Sequence, residues 1–419
     1  MLNIRTLSFT AILGLVSAAS AVRPAIADDP PGSPVLSDPV FQALRTDGTT
    51  ASGRIRQLGP DGRVVLVAGE VETVIPLDRL VKLTREGDIP DSPPEGSVAL
   101  FPDGDRLRAI FGASGDKTLE ITPHILDDTA IPVPIDGLLG MVLAPPTEPQ
   151  AFESLLARVR NEPRKSEVLW LANGDRMTGG FLGLTAQKVA FQRDAGATEV
   201  DRSGIVAIGF DPAVVNYPAA PAPSLELTFL DGSRLGVTGC RIEQGHVVAT
   251  TRFGVTIRPA LAKLARVHVR GETIAYLSDR KETQAEYVGY LGTHRKTYGR
   301  NTTMDGRVLR MGGQPYDRGL GTQSRTLLAY RLDPRDRRFQ ATVGLDDRAG
   351  PLGSVIFRVN VDGKDRFVSP PMTVRDTPRL IDVDLTGARF LILATEFGER
   401  GDVQDLADWI EARIIRSSP

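Results

Sequence analysis

The sequence predicts an all-β fold, with tandem small β-barrel-like repeats followed by a larger two-sheet sandwich. Three observations predict it. Glycine and proline are plentiful, at 42 and 30 residues, while aromatics make up only 6%, a mixture that favours short strands joined by many turns. Four similar stretches before residue 270 each open on a strand and an Asp-Gly or Asn-Gly pair, and these opening pairs lie roughly 55 to 70 residues apart, the mark of a repeated unit. From Tyr276 onward seven or eight strand-length alternations follow one another, bounded by Gly, Pro or Asp, which describes a sandwich or jelly roll.

In chain order, residues 1–27 read as an export signal. A short basic start, Met1 to Arg5, precedes an apolar stretch from Thr6 to Ala21, and small-residue cleavage patterns end at Ala21 and Ala27. The apolar run is shorter than the roughly 20 residues a spanning helix needs. The expectation is therefore an exported product, periplasmic or secreted, with no integral membrane segment once the signal is cleaved. Cys240 is the only cysteine, so no intramolecular disulfide is available and no thiolate cluster can hold zinc.

The repeats are expected at 41–87, 97–143, 166–211 and 224–270. Each opens with a strand, an Asp-Gly or Asn-Gly turn (Asp47-Gly48, Asp103-Gly104, Asn173-Gly174, Asp231-Gly232) and a second strand. Such pairs supply the positive φ angles of a tight primed turn. In Leu225-Glu-Leu-Thr-Phe229 the alternation predicts one face in a core and Glu226 and Thr228 in water. Each copy has enough strands for a curled barrel of the SH3 or Sm type, or for half of a paired one. Arg106, Arg176 and Arg234 fall at the same place after each turn, where they suit either a ligand strip or a turn cap. Linkers rich in Pro and Ala are expected at 88–95, 144–150 and 212–223. One amphipathic connector helix is expected at 151–161, where Phe152, Leu155, Leu156 and Val159 share a face.

The formal net charge of −2 lacks the basic excess of a nucleic-acid binder. No glycine-rich phosphate loop, Gly-x-Ser-x-Gly elbow or His-Glu-x-x-His occurs, and the four histidines are scattered.

Five ordered motifs mark the region 275–419: Tyr276 to Asp279, Tyr316 to Ser324, Phe339 to Asp347, Val355 to Gly363 and Asp405 to Ile414. In this order they resemble the NPCBM family of carbohydrate-binding modules, found beside bacterial glycosidases. The resemblance implies a galactose-binding-like β-sandwich and a glycan or polysaccharide ligand, of galactose type among others. Two family histidines are replaced here, by Gln323 and Leu406.

Sugar recognition uses a few convergent polar groups and an aromatic platform. Candidate ligand-binding residues are Tyr316, Gln323, Arg325, Asp346, Asp347, Asp405, Asp408 and Trp409, with Tyr330 beside them. Several also suit structural roles: Trp409 and Tyr330 as core residues, Asp346-Asp347 as a turn cap. No cofactor is expected. Structural calcium is the alternative that hard oxygen ligands allow, from Asp402, Asp405 and Asp408. No catalytic residue is expected, since adjacent Asp residues on a strand point to opposite faces and no large catalytic domain remains. The expected function is glycan binding at or outside the cell envelope. The alternative is a structural role with a protein partner bound through the repeats.

Overall fold

The computed structural model describes residues 39–59, 62–87, 96–290 and 298–417. The expected export signal and the 88–95 linker lie outside them. The described chain is nearly all strand, with one α-helix among the described residues, Pro149–Asn161. That helix buries Phe152, Leu155, Leu156 and Val159 with Val168 and Trp170.

Four groups of five antiparallel strands share one connectivity. In the first, Val40–Arg45, Thr50–Leu58, Arg63–Ala68 and Val71–Pro76 pair in succession, and the fifth strand, Leu80–Arg85, returns to pair with the first. The second group runs from Val98 to Val142, the third from Glu167 to Gly209 and the fourth from Ser224 to Arg270, with the same pairings. In each, a single 3₁₀ turn precedes the fifth strand: Leu77–Arg79, Ile135–Gly137, Arg202–Gly204 and Leu261–Lys263. Among the described residues no pairing joins a group's fourth strand to its fifth, so strand pairing does not close these groups into barrels.

Instead the groups couple in pairs through their fifth strands. The first and fourth join antiparallel, with Val267 opposite Leu83. The second and third join in the same way, with Met141 opposite Ile208. These four apolar residues stand at equivalent places, three beyond Leu80, Leu264, Leu138 and Ile205, so one self-complementary contact is used twice. Pairing of this kind satisfies backbone groups that an edge strand would otherwise expose.

The turns differ from the sequence expectation in type. Only Asp103-Gly104 has positive φ at both positions, the primed turn. At Gly48, Gly174 and Gly232 the glycine alone is left-handed, and its N–H bonds back to Arg45, Leu171 and Phe229. Asp47, Asn173 and Asp231 each accept the N–H two residues on with their side chains. That bond favours a type I turn followed by a glycine bulge.

The repeated arginines brace neighbouring turns. Arg106 Nε donates to the Gly232 carbonyl at 2.8 Å, and Arg234 Nη2 donates to the Gly104 carbonyl at 2.7 Å. The preceding residues are reciprocal too: Asp105 accepts from Gly236 N–H, and Ser233 accepts from Arg108 N–H. The second and fourth groups thus meet about a local twofold axis at the Arg106–Arg234 bridge. Arg176 pairs with Glu162, the residue that follows the helix. These three arginines do not form a ligand strip.

The C-terminal region is a sandwich. One sheet orders the strands Gly299–Arg300, Gly319–Thr322, Ala407–Arg416, Asp336–Leu345 and Arg379–Asp384, with Ile274–Tyr276 pairing further along the flank of Ala407–Arg416 that Gly319–Thr322 occupies. The opposing sheet orders Gln284–Tyr287, Thr326–Arg331, Phe390–Phe397, Val355–Val361 and Lys364–Val368. Trp409, Tyr330, Phe339 and Phe357 fill the space between.

The outer face of the first sheet is buried against the repeats. Every residue of Ser224–Phe229 is buried, so Glu226 and Thr228 are not in water as the alternation predicts. The sandwich covers that face. A bulge in Ala407–Arg416 falls at Glu411, with φ +51°. Bulges re-aim a side chain, and this one turns Glu411 toward the repeats, where Lys82 Nζ lies 2.6 Å away. His268 stands between Glu411 and Glu226, at 3.8 and 3.9 Å, and Arg318 Nη2 reaches Glu226 at 3.1 Å. Burial alone would raise the Glu411 carboxyl, but Lys82, His268 and Arg413 hold it well below the usual carboxylate range. Glu226 is likewise held low, against the effect of burial, by Arg318, Arg234 and Arg270.

Candidate glycan site on the sandwich

The expected site residues divide into a buried set and a loop set. Trp409 is 1% exposed, its ring edge-on to Phe357 at 5.2 Å and its Nε1 donating to Thr395 Oγ1. It is a core residue and offers no platform to a sugar. Tyr330 is also fully buried. Alternation along these strands places both rings between the sheets.

Asp346 and Asp347 hold a hairpin in place. Asp346 is buried and accepts from the N–H groups of Arg310 and Arg348 and from the Arg348 guanidinium. Those bonds outweigh burial and keep its carboxyl below the usual range. Asp347 is exposed and accepts from Gly312 and Gly313 N–H, both at 2.8 Å. The hairpin they fix, Leu309–Met311 with Gln314–Tyr316, covers Ile410 and half buries Tyr316. Asp408 lies beneath it with no hydrogen-bond donor to either oxygen among the described residues. Burial first, then the charge of Asp346, pushes Asp408 well above the usual range. A neutral Asp408 can donate its proton to Asp346.

Asp405 is buried two residues before the strand Ala407–Arg416 begins. It accepts from Ser324 Oγ and from Ser354 N–H. Burial pushes it up to about 6 despite those two bonds. Asp402, Asp405 and Asp408 turn to different partners, and no group of three His, Cys, Asp or Glu suited to a metal occurs among the described residues.

The loop set lies around Asp405 at the sandwich edge. Gln323 Nε2 donates to the Asp402 carbonyl at 3.1 Å, and Arg325 Nε pairs with Glu396 at 2.8 Å. Asp402 accepts from Tyr290 N–H at 2.9 Å. The Tyr290 side chain is 61% exposed and packs edge-on to Phe397 at 5.4 Å. Val403 and Leu352, also exposed, belong to the same loop region, where the Leu352 N–H bonds to Gln404. Arg400 and Gln404 both take positive φ, a conformation that costs non-glycine residues energy and concentrates at functional sites. Tyr290 and Phe397 were not singled out from the sequence, and Asp402 was read there only as a calcium ligand. Nothing local separates an exposed tyrosine from a core one.

A β-sandwich with an exposed aromatic beside polar loop groups has the form of a carbohydrate-binding module. Residues 273–415 match the NPCBM/NEW2 domain family. A curated relative from Renibacterium salmoninarum, named "Putative endo-alpha-N-acetylgalactosaminidase", is 25% identical over 185 residues. That match covers 41% of this chain and 12% of the relative's length. Among solved structures, the CBM51 from Clostridium perfringens GH95, solved with methyl-galactose, is 26% identical with a TM-score of 0.31. It covers 34% of this chain and 99% of that one. Tandem CBM51 modules of a family 98 glycoside hydrolase from Streptococcus pneumoniae are 14% identical with a TM-score of 0.31. They cover 62% of this chain and 91% of that one.

Proposed function

We propose that this chain is a non-catalytic glycan-binding protein acting outside the cytoplasm, with its sugar contact at the Tyr290 end of the sandwich. The observation that carries the proposal is Tyr290. It is a large, exposed aromatic held edge-on by Phe397, with Asp402, Gln323 and the Arg325–Glu396 pair around it. A fixed ring face suits the apolar side of a pyranose, and the polar groups suit its hydroxyls. The NPCBM/NEW2 match supports the class of ligand. Galactose-type sugars are the first to test, given the N-acetylgalactosaminidase name of the curated relative. The expected result is saturable calorimetric binding of galactose or N-acetylgalactosamine by the full chain. Tyr290→Ala should weaken it at least about tenfold, or ~1.4 kcal/mol, with an unchanged unfolding midpoint. No binding by the folded chain to either sugar or to mixed polysaccharides would refute the proposal.

A second reading has its own support. Gln323 spends its amide on the Asp402 carbonyl, and Leu406 packs partly on the core. Both replace polar family residues with internally committed ones. On that reading the sandwich supports an envelope protein whose partner is another protein, bound through the repeats.

A further inference from the structure

We infer that the crevice between the fourth repeat and the sandwich is an anion-binding site, formed jointly by Arg270, Arg280 and Arg416. The crevice has a volume of 360 Å³ and is lined by these three arginines, with Tyr276 and the backbone of Gly271. That volume is within the range of small-molecule sites. Asp279 is the one acidic side chain on the wall, and Arg318 Nη1 already binds it at 2.7 Å.

The guanidinium groups are held in place by shared carboxylates rather than matched one to one. Asp336, fully buried, accepts from Arg280 Nη1 at 3.0 Å and from Arg416 Nε at 2.9 Å. Glu226 is shared by Arg270 and Arg318. Around the crevice four arginines (270, 280, 318 and 416) therefore meet three carboxylates (226, 279 and 336), leaving one net positive charge. Arg416 engages only its Nε, so both terminal nitrogens are without a partner among the described residues. An arginine fork with unused N–H groups and a fixed orientation matches a planar or tetrahedral oxyanion. Wet cavities at a neutral junction would not need three guanidinium groups on one wall. The ligand class is a small molecule bearing a carboxylate or phosphate, and the site shares no residue with the Tyr290 end.

The test is a calorimetric titration of the full chain with galacturonate, with inorganic phosphate, and with galactose as the neutral control. Saturable binding of galacturonate alone would identify a carboxylate-bearing sugar, and binding of phosphate would identify a phosphate group. Either supports the site when Arg416→Lys, which keeps a positive charge beside Asp336, weakens it by about tenfold. The control is a Lys364→Gln/Arg366→Gln variant, which alters charge on the far edge strand and should leave binding unchanged. Failure of both anions to bind the folded wild-type chain overturns the inference. So does an equal loss in the control variant, or an affinity for galactose matching that for galacturonate.

Discussion

The ion pair between Lys82 and Glu411 is the most exacting test of how the repeats and the sandwich hold together. Its atoms are 2.6 Å apart, and the side chains are 17% and 10% exposed. Glu411→Gln removes the carboxylate and leaves the Lys82 ammonium buried. Burial already lowers the Lys82 pKa, opposed chiefly by Glu411, and Arg413 and Arg266 add repulsion on the same side. Breaking a buried pair in this way costs about 3–5 kcal/mol, against about 1 kcal/mol or less for an exposed one. Replacing both partners, Lys82→Met with Glu411→Leu, should recover part of the loss, because the Lys82 charge goes with its partner while the buried Arg413 keeps its bonds to Gln340 and the residue 411 carbonyl. Equilibrium unfolding in urea can follow each part separately. The two tryptophans of the chain stand one in the third repeat group, Trp170, and one in the sandwich, Trp409. Phenylalanine at either position leaves a single reporter. Wild type should show coincident midpoints, and Glu411→Gln should separate them. A cost below about 1 kcal/mol, or a double variant no more stable than Glu411→Gln, would refute the reasoning.

Trp409→Ala should destabilise the sandwich by about 3–5 kcal/mol, measured by circular dichroism, because it empties a core position rather than a sugar platform. Arg234→Gln removes two bonds to the Gly104 carbonyl. About 1–2 kcal/mol should be lost, and hydrogen exchange should rise at the Asp103-Gly104 turn. The folded pKa of Asp405, about 6, lies above its ordinary value of 3.8, so the folded state holds its proton more tightly than the unfolded one. Its stabilising contribution is therefore complete below about pH 4 and lost as pH rises through 6. Urea midpoints of wild type relative to Asp405→Asn should fall across that window, and a ratio independent of pH would contradict the assignment.

Much of the fold was legible because short-range chemistry specifies it. The Asp47, Asn173 and Asp231 side chains select their own turns by bonding two residues ahead, and alternation in Val355 to Val361 fixes which side chains enter the core. The candidate site was less legible. Asp408 shares a motif with Asp405, yet it lies with Asp346 under a hairpin whose position depends on contacts across 36 residues, such as Arg310 N–H to Asp346. Tyr290 carries no local mark that separates a surface ring from a core one.

The sequence by itself determined an all-β chain, the positions of its repeat turns and the NPCBM-type sandwich, since period, turn residues and ordered motifs act over a few residues. Tertiary structure decided the rest. It joined the repeats through their fifth strands, buried Glu226 and Glu411 between repeats and sandwich, and drew Arg270, Arg280 and Arg416 into one crevice. A buried charge is stable only where opposite charges from distant segments converge on it. That convergence is a property of the assembled surfaces, and no local window of residues contains it.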